Sequence, residues 1–284
     1  MRKLNLSENF NRSFNIRRDN YPQHHNLWHY HEEIEFIYIA KGTGTLFVGD
    51  CIQTVVENSC VLIGSNLPHY WLFDSDYLNK FNPIDCIVIH FKPKFLGNDF
   101  FQLEEAKLLQ QLLKDAEKGM YLESCTENFS TNFLHIQNQV DIIKITKLIE
   151  LLYYFNKANA KKLVSESYGI FNHSQDHGRM NDVINYIKDN YRDKVELEDL
   201  ANLAKMTKNS FCRYFKQKTG KTPIQFVSEL RVSHACRLLR STDMVLKEIC
   251  YDSGFNNFVN FHKIFKGITN TSPKQYKKNS NTNL

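Results

Sequence analysis

The sequence reads SFCRYFK at residues 210–216 and NFHKIFK at residues 260–266, two copies of one pattern at an offset of 50. The match continues from Thr219 and Pro223 in the first copy to Thr269 and Pro273 in the second. In each copy two phenylalanines four residues apart fall on one face of a helix, and basic side chains fall on the other face. The repeat predicts two copies of one structural unit in the last hundred residues.

A short apolar stripe and a turn precede each copy. The stripes are Leu197, Leu200, Leu203 and Ala204 in the first copy and Val245, Ile249 and Cys250 in the second. Thr207 is predicted to cap the first following helix, and Ser253-Gly254 with Asn256 or Asn257 is predicted to turn the chain and cap the second. Both copies, at about 196–217 and 244–267, are therefore predicted to be helix-turn-helix units, which present a helix start to the DNA major groove.

A longer helix is predicted to join the two units, beginning at Thr222-Pro223. Its apolar positions include Phe226, Leu230, Ala235 and Leu239. At about 1.5 Å per residue it spans roughly 27 Å. Two reading helices at a fixed separation of that order suit successive major grooves on one face of DNA, which recur about every 34 Å.

The C-terminal segment, about residues 178–279, resembles the DNA-binding domain of the AraC/XylS family, through the two copies and through SPKQY at 272–276. The resemblance implies a domain at 179–279 that binds double-stranded DNA. The side chains implied to face bases are Asn209, Cys212, Arg213, Val259, Asn260 and Lys263. Lys208, Lys216, Lys221 and Lys266 are predicted to contact phosphates, which position the domain without reading sequence, and Asn257 is a further DNA-binding candidate. Arg213 is the leading candidate for base reading, because its planar donor fork binds guanine at two atoms.

The charge is divided unevenly along the 284 residues. The net charge is +5, but residues 178–284 carry +9 and residues 1–177 carry −4. A basic half suits phosphate contacts, since neutralising phosphates releases counterions. No apolar run approaches the roughly 18 residues that span a bilayer, and the first ten residues have no signal-peptide core. Seven cysteines without a CxxC pair predict reduced, buried thiols in a cytoplasmic protein that does not enter a membrane.

The N-terminal half alternates apolar and polar residues in short runs from about residue 28 to residue 91. This alternation predicts antiparallel strands, with hairpins near Lys41-Gly42-Thr43-Gly44 and Gly49-Asp50, in a β-sandwich or barrel at about 20–95. Helices are predicted at about 100–155, packing either on their own barrel or between two protomers. The polar stretch 156–178 is predicted to be a linker. The fold class is therefore a two-domain α+β protein, with domains at 1–155 and 179–279.

The pattern His29-x-His31-x3-Glu35-x6-Gly42 resembles the first motif of the cupin superfamily, and His69 falls where the second motif has its histidine. In metal-dependent cupins these four side chains hold a transition metal. The second motif departs from the pattern at Gly64, Asn66 and Phe73. Three interpretations stay open: an effector pocket, structural histidines or a metal site. Of these we predict the effector pocket, with no cofactor. The residues predicted to form the pocket are His29, His31, Glu35, Tyr38, His69 and Trp71.

These observations predict a regulator of transcription that is not an enzyme. It would bind DNA as a homodimer, respond to a small effector such as a carbohydrate, and act as an activator through RNA polymerase. Nearby aromatic residues, including Tyr70 and Trp71, suit stacking on a sugar ring. Two alternatives remain: a metal-binding cupin enzyme fused to a DNA-binding module, and a ligand-independent regulator whose barrel only dimerises.

Overall fold

The computed structural model describes residues 2–4, 14–20, 28–74, 77, 83–166, 168 and 179–281. The chain divides into two compact units, Met1–Gln175 and Asp176–Leu284. The first unit contains β-sheets with a helical layer, and the second consists of helices. The predicted fold class, a two-domain α+β protein, is confirmed.

Two sheets form the first unit. The strands of its described residues are β1 (Arg2–Lys3), β2 (Phe14–Asp19), β3 (His29–Tyr30), β4 (Ile34–Lys41), β5 (Gly44–Val48), β6 (Cys51–Val55), β7 (Ser59–Ile63), β8 (His69–Phe73), β9 (Asp85–Phe91), β10 (Met120–Leu122) and β11 (Lys161–Lys162). One sheet has the order β1-β3-β8-β5-β6, and the other has the order β11-β10-β7-β4-β9-β2.

Strand β4 is apolar on both faces because both faces are covered. Ile37 and Ile39 lie in a core formed by residues of both sheets. Phe36 and Tyr38 point the other way, into a second core shared with the helices. The period-two geometry of a strand places Glu35 on the same face as Ile37, between the sheets.

The two predicted hairpins have different outcomes. Gly49-Asp50 does join β5 to β6, with Val48 paired to Cys51. The prediction of a hairpin near Lys41-Gly42-Thr43-Gly44 is wrong, because β4 and β5 do not pair with each other. Strand β4 pairs with β7 and β9, whereas β5 pairs with β6 and β8. That segment instead carries the chain from one sheet to the other.

Three α-helices come after β9 in the described residues of this unit: α1 (Lys107–Asp115), α2 (Glu127–His135) and α3 (Asp141–Lys157). Leu148, Leu152 and Phe155 of α3 are fully buried, and the Phe155 ring lies 5.2 Å from that of Phe36 on β4. This face of α3 therefore packs on its own barrel. The side chains of Ile142 and Tyr153 are 63% and 48% exposed.

The predicted linker, 156–178, begins too early. Helix α3 continues to Lys157, and β11 pairs with β10 at the edge of the six-stranded sheet. Val164 and Tyr168 are buried between the sheets beside Gly49, where a Cβ would come within 2.9 Å of Val164. Two apolar anchors in a polar stretch thus keep the chain on the barrel, and residues 169–178 lie outside the described residues.

The second unit is built from seven helices within its described residues: α4 (Arg179–Asn190), α5 (Leu197–Leu203), α6 (Lys208–Thr219), α7 (Pro223–Ser241), α8 (Leu246–Asp252), α9 (Phe258–Thr269) and α10 (Pro273–Asn281). The 19 residues of α7 span about 28 Å. Across the described ranges, no helix combines the length and the apolar character that a bilayer crossing requires.

Candidate functional sites

The two helix-turn-helix units close their turns with the same hydrogen bonds. The backbone N–H of Met206 donates to the carbonyl of Ala201 at 2.9 Å, and that of Phe255 donates to Cys250 at 3.1 Å. Each bond spans five residues, as in a Schellman closure of a helix end. The second residue after each first helix has a positive φ, +54° at Lys205 and +87° at Gly254.

The second helices α6 and α9 also begin and end alike. Thr207 caps α6 and Asn257 caps α9, each through a side-chain oxygen that accepts from a backbone N–H three residues later. At the other end, the hydroxyls of Thr219 and Thr269 donate to the carbonyl four residues earlier, both at 2.9 Å. The sequence repeat is therefore a repeat of backbone geometry.

One face of α6 and α9 is buried and the other is exposed. Phe211, Phe215, Phe261 and Phe265 are fully buried. The exposed side chains include Lys208, Asn209, Arg213 and Lys216 on α6, Val259, Asn260, Lys263 and Lys266 on α9, and the cap Asn257. Val259 is 79% exposed. The arrangement presents donors and cations along one helix face.

Three of the side chains predicted to bind DNA already form contacts within the protein. Lys208 forms an ion pair with Glu198 on α5, and Lys221 pairs with Glu229 at 2.6 Å. The side-chain oxygen of Asn257 accepts from the backbone of Asn260 at 2.8 Å, so this oxygen caps α9. Cys212 is only half-exposed. Arg213 and Lys216 have no ion pair with any described residue of the chain, which leaves both cations available.

The barrel brings together the four residues of the cupin-like pattern. His29 on β3 lies directly across from His69 on β8 in one sheet, and Glu35 on β4 lies in the facing sheet. His31 follows β3 directly, in the segment that connects β3 to β4. The ligand atoms of these four residues lie within 4.8 Å of one another, and all four side chains are at most 2% exposed.

Two of the histidines point an unpaired nitrogen at the carboxylate. Nδ1 of His31 lies 2.9 Å from the carbonyl of Glu33, and Nδ1 of His69 lies 2.9 Å from that of Leu67. Because a carbonyl only accepts, Nδ1 carries the hydrogen in both rings. Nε2 of each ring has no hydrogen-bond partner and lies 3.6 Å (His31) or 3.7 Å (His69) from Oε2 of Glu35. This orientation is the one that metal-binding histidines adopt.

The Glu35 carboxylate is itself held by two donors. Nε1 of Trp71 donates to Oε1 at 3.1 Å, and Nε2 of His90 lies 2.9 Å from Oε2. Burial raises the pKa of Glu35, but its interactions with the surrounding imidazoles, among which His90 is hydrogen-bonded to it, outweigh burial and hold the pKa well below its usual range. Burial lowers the pKa of His90 to about 4, partly opposed by Glu35. A neutral His90 therefore donates to an ionised Glu35.

Of the two aromatic residues predicted to line an effector pocket, Tyr38 lies outside the cluster and Trp71 contacts Glu35 with its ring nitrogen. Tyr38 points away from Glu35, packs on Phe133 at 5.4 Å, and donates its hydroxyl hydrogen to Asn58. Its inclusion was wrong, because positions 35 and 38 of one strand face opposite sides. Trp71 is fully buried and stacks on Phe73 at 5.7 Å. Its role in the structure is to donate a hydrogen bond to Glu35, not to offer a free ring face.

Comparison with known proteins agrees with both halves. A family model described as a helix-turn-helix domain matches residues 200–279, and one described as a cupin domain matches residues 21–77. The HTH-type transcriptional regulator YdeC of Bacillus subtilis is 25% identical over 264 residues, covering 88% of this chain and 85% of that protein. The HTH-type transcriptional activator RhaS of Mannheimia succiniciproducens is 25% identical over 70% of this chain and 64% of its own length.

The chain is a transcriptional regulator with an AraC-type DNA-binding domain. Among solved structures, it is similar to the DNA-binding domain of AdpA in complex with a target DNA, with 28% identity, a TM-score of 0.34, and coverage of 36% of this chain and 91% of that one. The AraC-type domain contains α6 and α9 entirely. The cupin match contains His29, His31, Glu35 and His69.

The sequence analysis missed a buried residue of the regulator that forms a direct hydrogen bond to Glu35 at the barrel cluster. His90 on β9 lies opposite Glu35 on β4 and outside the residues matched as a cupin domain. Its strand alternates strictly, with Cys86 and Val88 pointing between the sheets and Ile87 and Ile89 pointing toward the helices. A histidine in the inward series of an otherwise apolar strand was the signal that could have found it.

Proposed function

We propose that this regulator binds specific sites on double-stranded DNA with α6 and α9 and changes transcription in response to a small effector. The repeated backbone geometry of the two units supports the DNA proposal, because equivalent caps and turns expose the corresponding face of each helix. The 19-residue helix α7 between them has a length of the order of the spacing of successive major grooves.

Arg213→Ala is expected to relax base preference at one position by about 1–3 kcal/mol, since a bidentate contact to guanine is worth that much discrimination. Lys216→Ala, on the same helix, is expected to weaken binding to all sequences alike and to lower the slope of log affinity against log salt by about 1. Fluorescence anisotropy of the full chain, on a site selected from random DNA and on its single-base variants, measures both. Equal losses on every sequence from the two variants would contradict the assignment of Arg213.

A sugar is the effector class that the sequence predicts, but the packing of the aromatic rings does not favour it. Stacking on a sugar needs an open ring face, whereas Trp71 packs on Phe73 and Tyr70 packs within 5.4 Å of Phe47. Thermal-shift screening of the full chain against sugars tests it, because a ligand that binds only the folded state raises the melting temperature. If no sugar raises the melting temperature, carbohydrates are removed as the effector class.

The second candidate is a transition-metal ion held by His29, His31, Glu35 and His69. The orphaned Nε2 atoms of His31 and His69 favour it, because two lone pairs and a carboxylate meet there without a hydrogen between them. Imidazole and carboxylate donors suit such ions. A bound ion would supply a Lewis-acidic contact for an effector. We propose no catalytic step, and the barrel then acts as a sensor, not as an enzyme.

The remaining partners are also proposals. The apolar residues Leu108, Ile142 and Tyr153 are about half exposed or more on α1 and α3, which supports a homodimer formed through these helices. Relatives that are named transcriptional activators support activation, and contact with RNA polymerase is proposed as its route. We also propose a cytoplasmic location, which seven free cysteines, five of them buried, support. Sedimentation of the full chain tests the dimer, and a single monomeric species at micromolar concentration would contradict it.

A further inference from the structure

Two side chains outside the four-residue cluster fix the Glu35 carboxylate from both sheets. His90 is the direct cross-strand partner of Glu35 in the pairing of β9 with β4, so both side chains point to the same face. Trp71 comes from β8 in the facing sheet. His90 donates to Oε2 and Trp71 donates to Oε1, so each carboxylate oxygen has one hydrogen bond from the protein.

These hydrogen bonds determine how the carboxylate meets the orphaned imidazole nitrogens. Nε2 of His31 and Nε2 of His69 both lie within 3.7 Å of Oε2. Each carboxylate oxygen has two lone-pair positions, and the bond from His90 uses one of those on Oε2. The other lone-pair position on Oε2 is left for a cation, which Nε2 of His31 and Nε2 of His69 would also bind.

We propose that His90 and Trp71 are positioning residues that hold Glu35 as a ligand and thereby set the affinity and coordination of a transition metal in the barrel, an inference that rests on the proposed metal site. His90 is 2% exposed and Trp71 is fully buried, so both bonds lie away from solvent competition. Hydrogen bonds of this kind orient metal ligands, and their loss typically lowers metal affinity by about 10–100-fold.

The test uses the full chain loaded with Co²⁺ and four variants. His90→Phe keeps a ring but removes the donor, His90→Gln keeps a donor of different shape, and Trp71→Phe removes the second donor. His135→Phe, an exposed position at the end of α2, is the matched control. Co²⁺ affinity is measured by competition with a chelator, the visible ligand-field spectrum reports coordination, and circular dichroism reports folding.

We expect His90→Phe and Trp71→Phe to weaken Co²⁺ binding by about 10–100-fold and to change the visible spectrum. His90→Gln should restore part of the affinity, and His135→Phe should change neither quantity. Wild-type affinity and spectrum in folded His90→Phe and Trp71→Phe would overturn the inference while leaving the metal site in place. If the wild-type chain binds no Co²⁺, the metal site and the inference both fall, and the DNA proposal stands.

Discussion

Replacing Gly254 with alanine is expected to lower the free energy of unfolding of the second unit by about 2–4 kcal/mol. Gly254 has a φ of +87°, where an L side chain is strained. A Cβ there would also come within 2.7 Å of the carbonyl oxygen of Tyr191 and 2.8 Å of the Cα of Arg192. Both neighbours are backbone, so the turn between α8 and α9 has to shift.

Gly267→Ala is the matched control, since it makes the same change in helix α9 where no heavy atom lies within 4 Å of the new Cβ. It is expected to raise stability by about 0.5–1 kcal/mol, because alanine is the better helix residue. Urea unfolding followed by circular dichroism measures both changes. Both tryptophans, Trp28 and Trp71, belong to the first unit, so their fluorescence checks that the loss is confined to the second. Equal stability changes in the two variants would contradict the turn geometry.

His31→Ala is expected to abolish metal binding by the barrel. The change removes one of four buried ligand atoms that lie within 4.8 Å of one another. We expect a loss of more than about 100-fold in affinity, beyond the effect of losing a hydrogen bond to a ligand. The wild-type chain, purified without chelator, should contain about one transition-metal ion, and the variant should contain none. Elemental analysis gives both values.

The metal should also stabilise the wild-type fold. At a free concentration of 100 times Kd, a ligand specific for the folded state adds about 2.7 kcal/mol, so a chelator should lower the melting temperature of the wild type and leave His31→Ala unchanged. His135→Ala, on the exposed end of α2, should behave as the wild type does. Wild-type protein without metal, and insensitive to chelator, would show that the cluster is a structural network of buried polar groups.

The second unit was largely predictable from the sequence because its signals are local. A repeat at an offset of 50, with caps at Thr207 and Thr222 and a turn at Gly254, specifies helix order without any long-range pairing. The buried phenylalanines follow from the helical period alone. The ion pair of Lys208 with Glu198 could not be predicted this way, since it depends on how α5 packs against α6.

The barrel cluster was only partly predictable, because sheet register joins residues far apart in the chain. His29, His31 and Glu35 form one local pattern, but His90 meets Glu35 across 55 positions through the pairing of β4 with β9. Strand parity alone could have excluded Tyr38, which lies three positions from Glu35. The end of the first domain was predicted too early, at residue 155, since Val164 is an isolated apolar anchor in a polar stretch.

Hydroxyl-radical footprinting of the full chain on a DNA site selected from a random library tests the central claim most directly. The two reading helices α6 and α9, joined by α7, should protect two tracts on one face of the duplex, about ten base pairs apart, in successive major grooves. In Lys263→Ala the tract nearest α9 should weaken more than the other. One protected tract per chain, or two tracts on opposite faces of the duplex, would contradict the account.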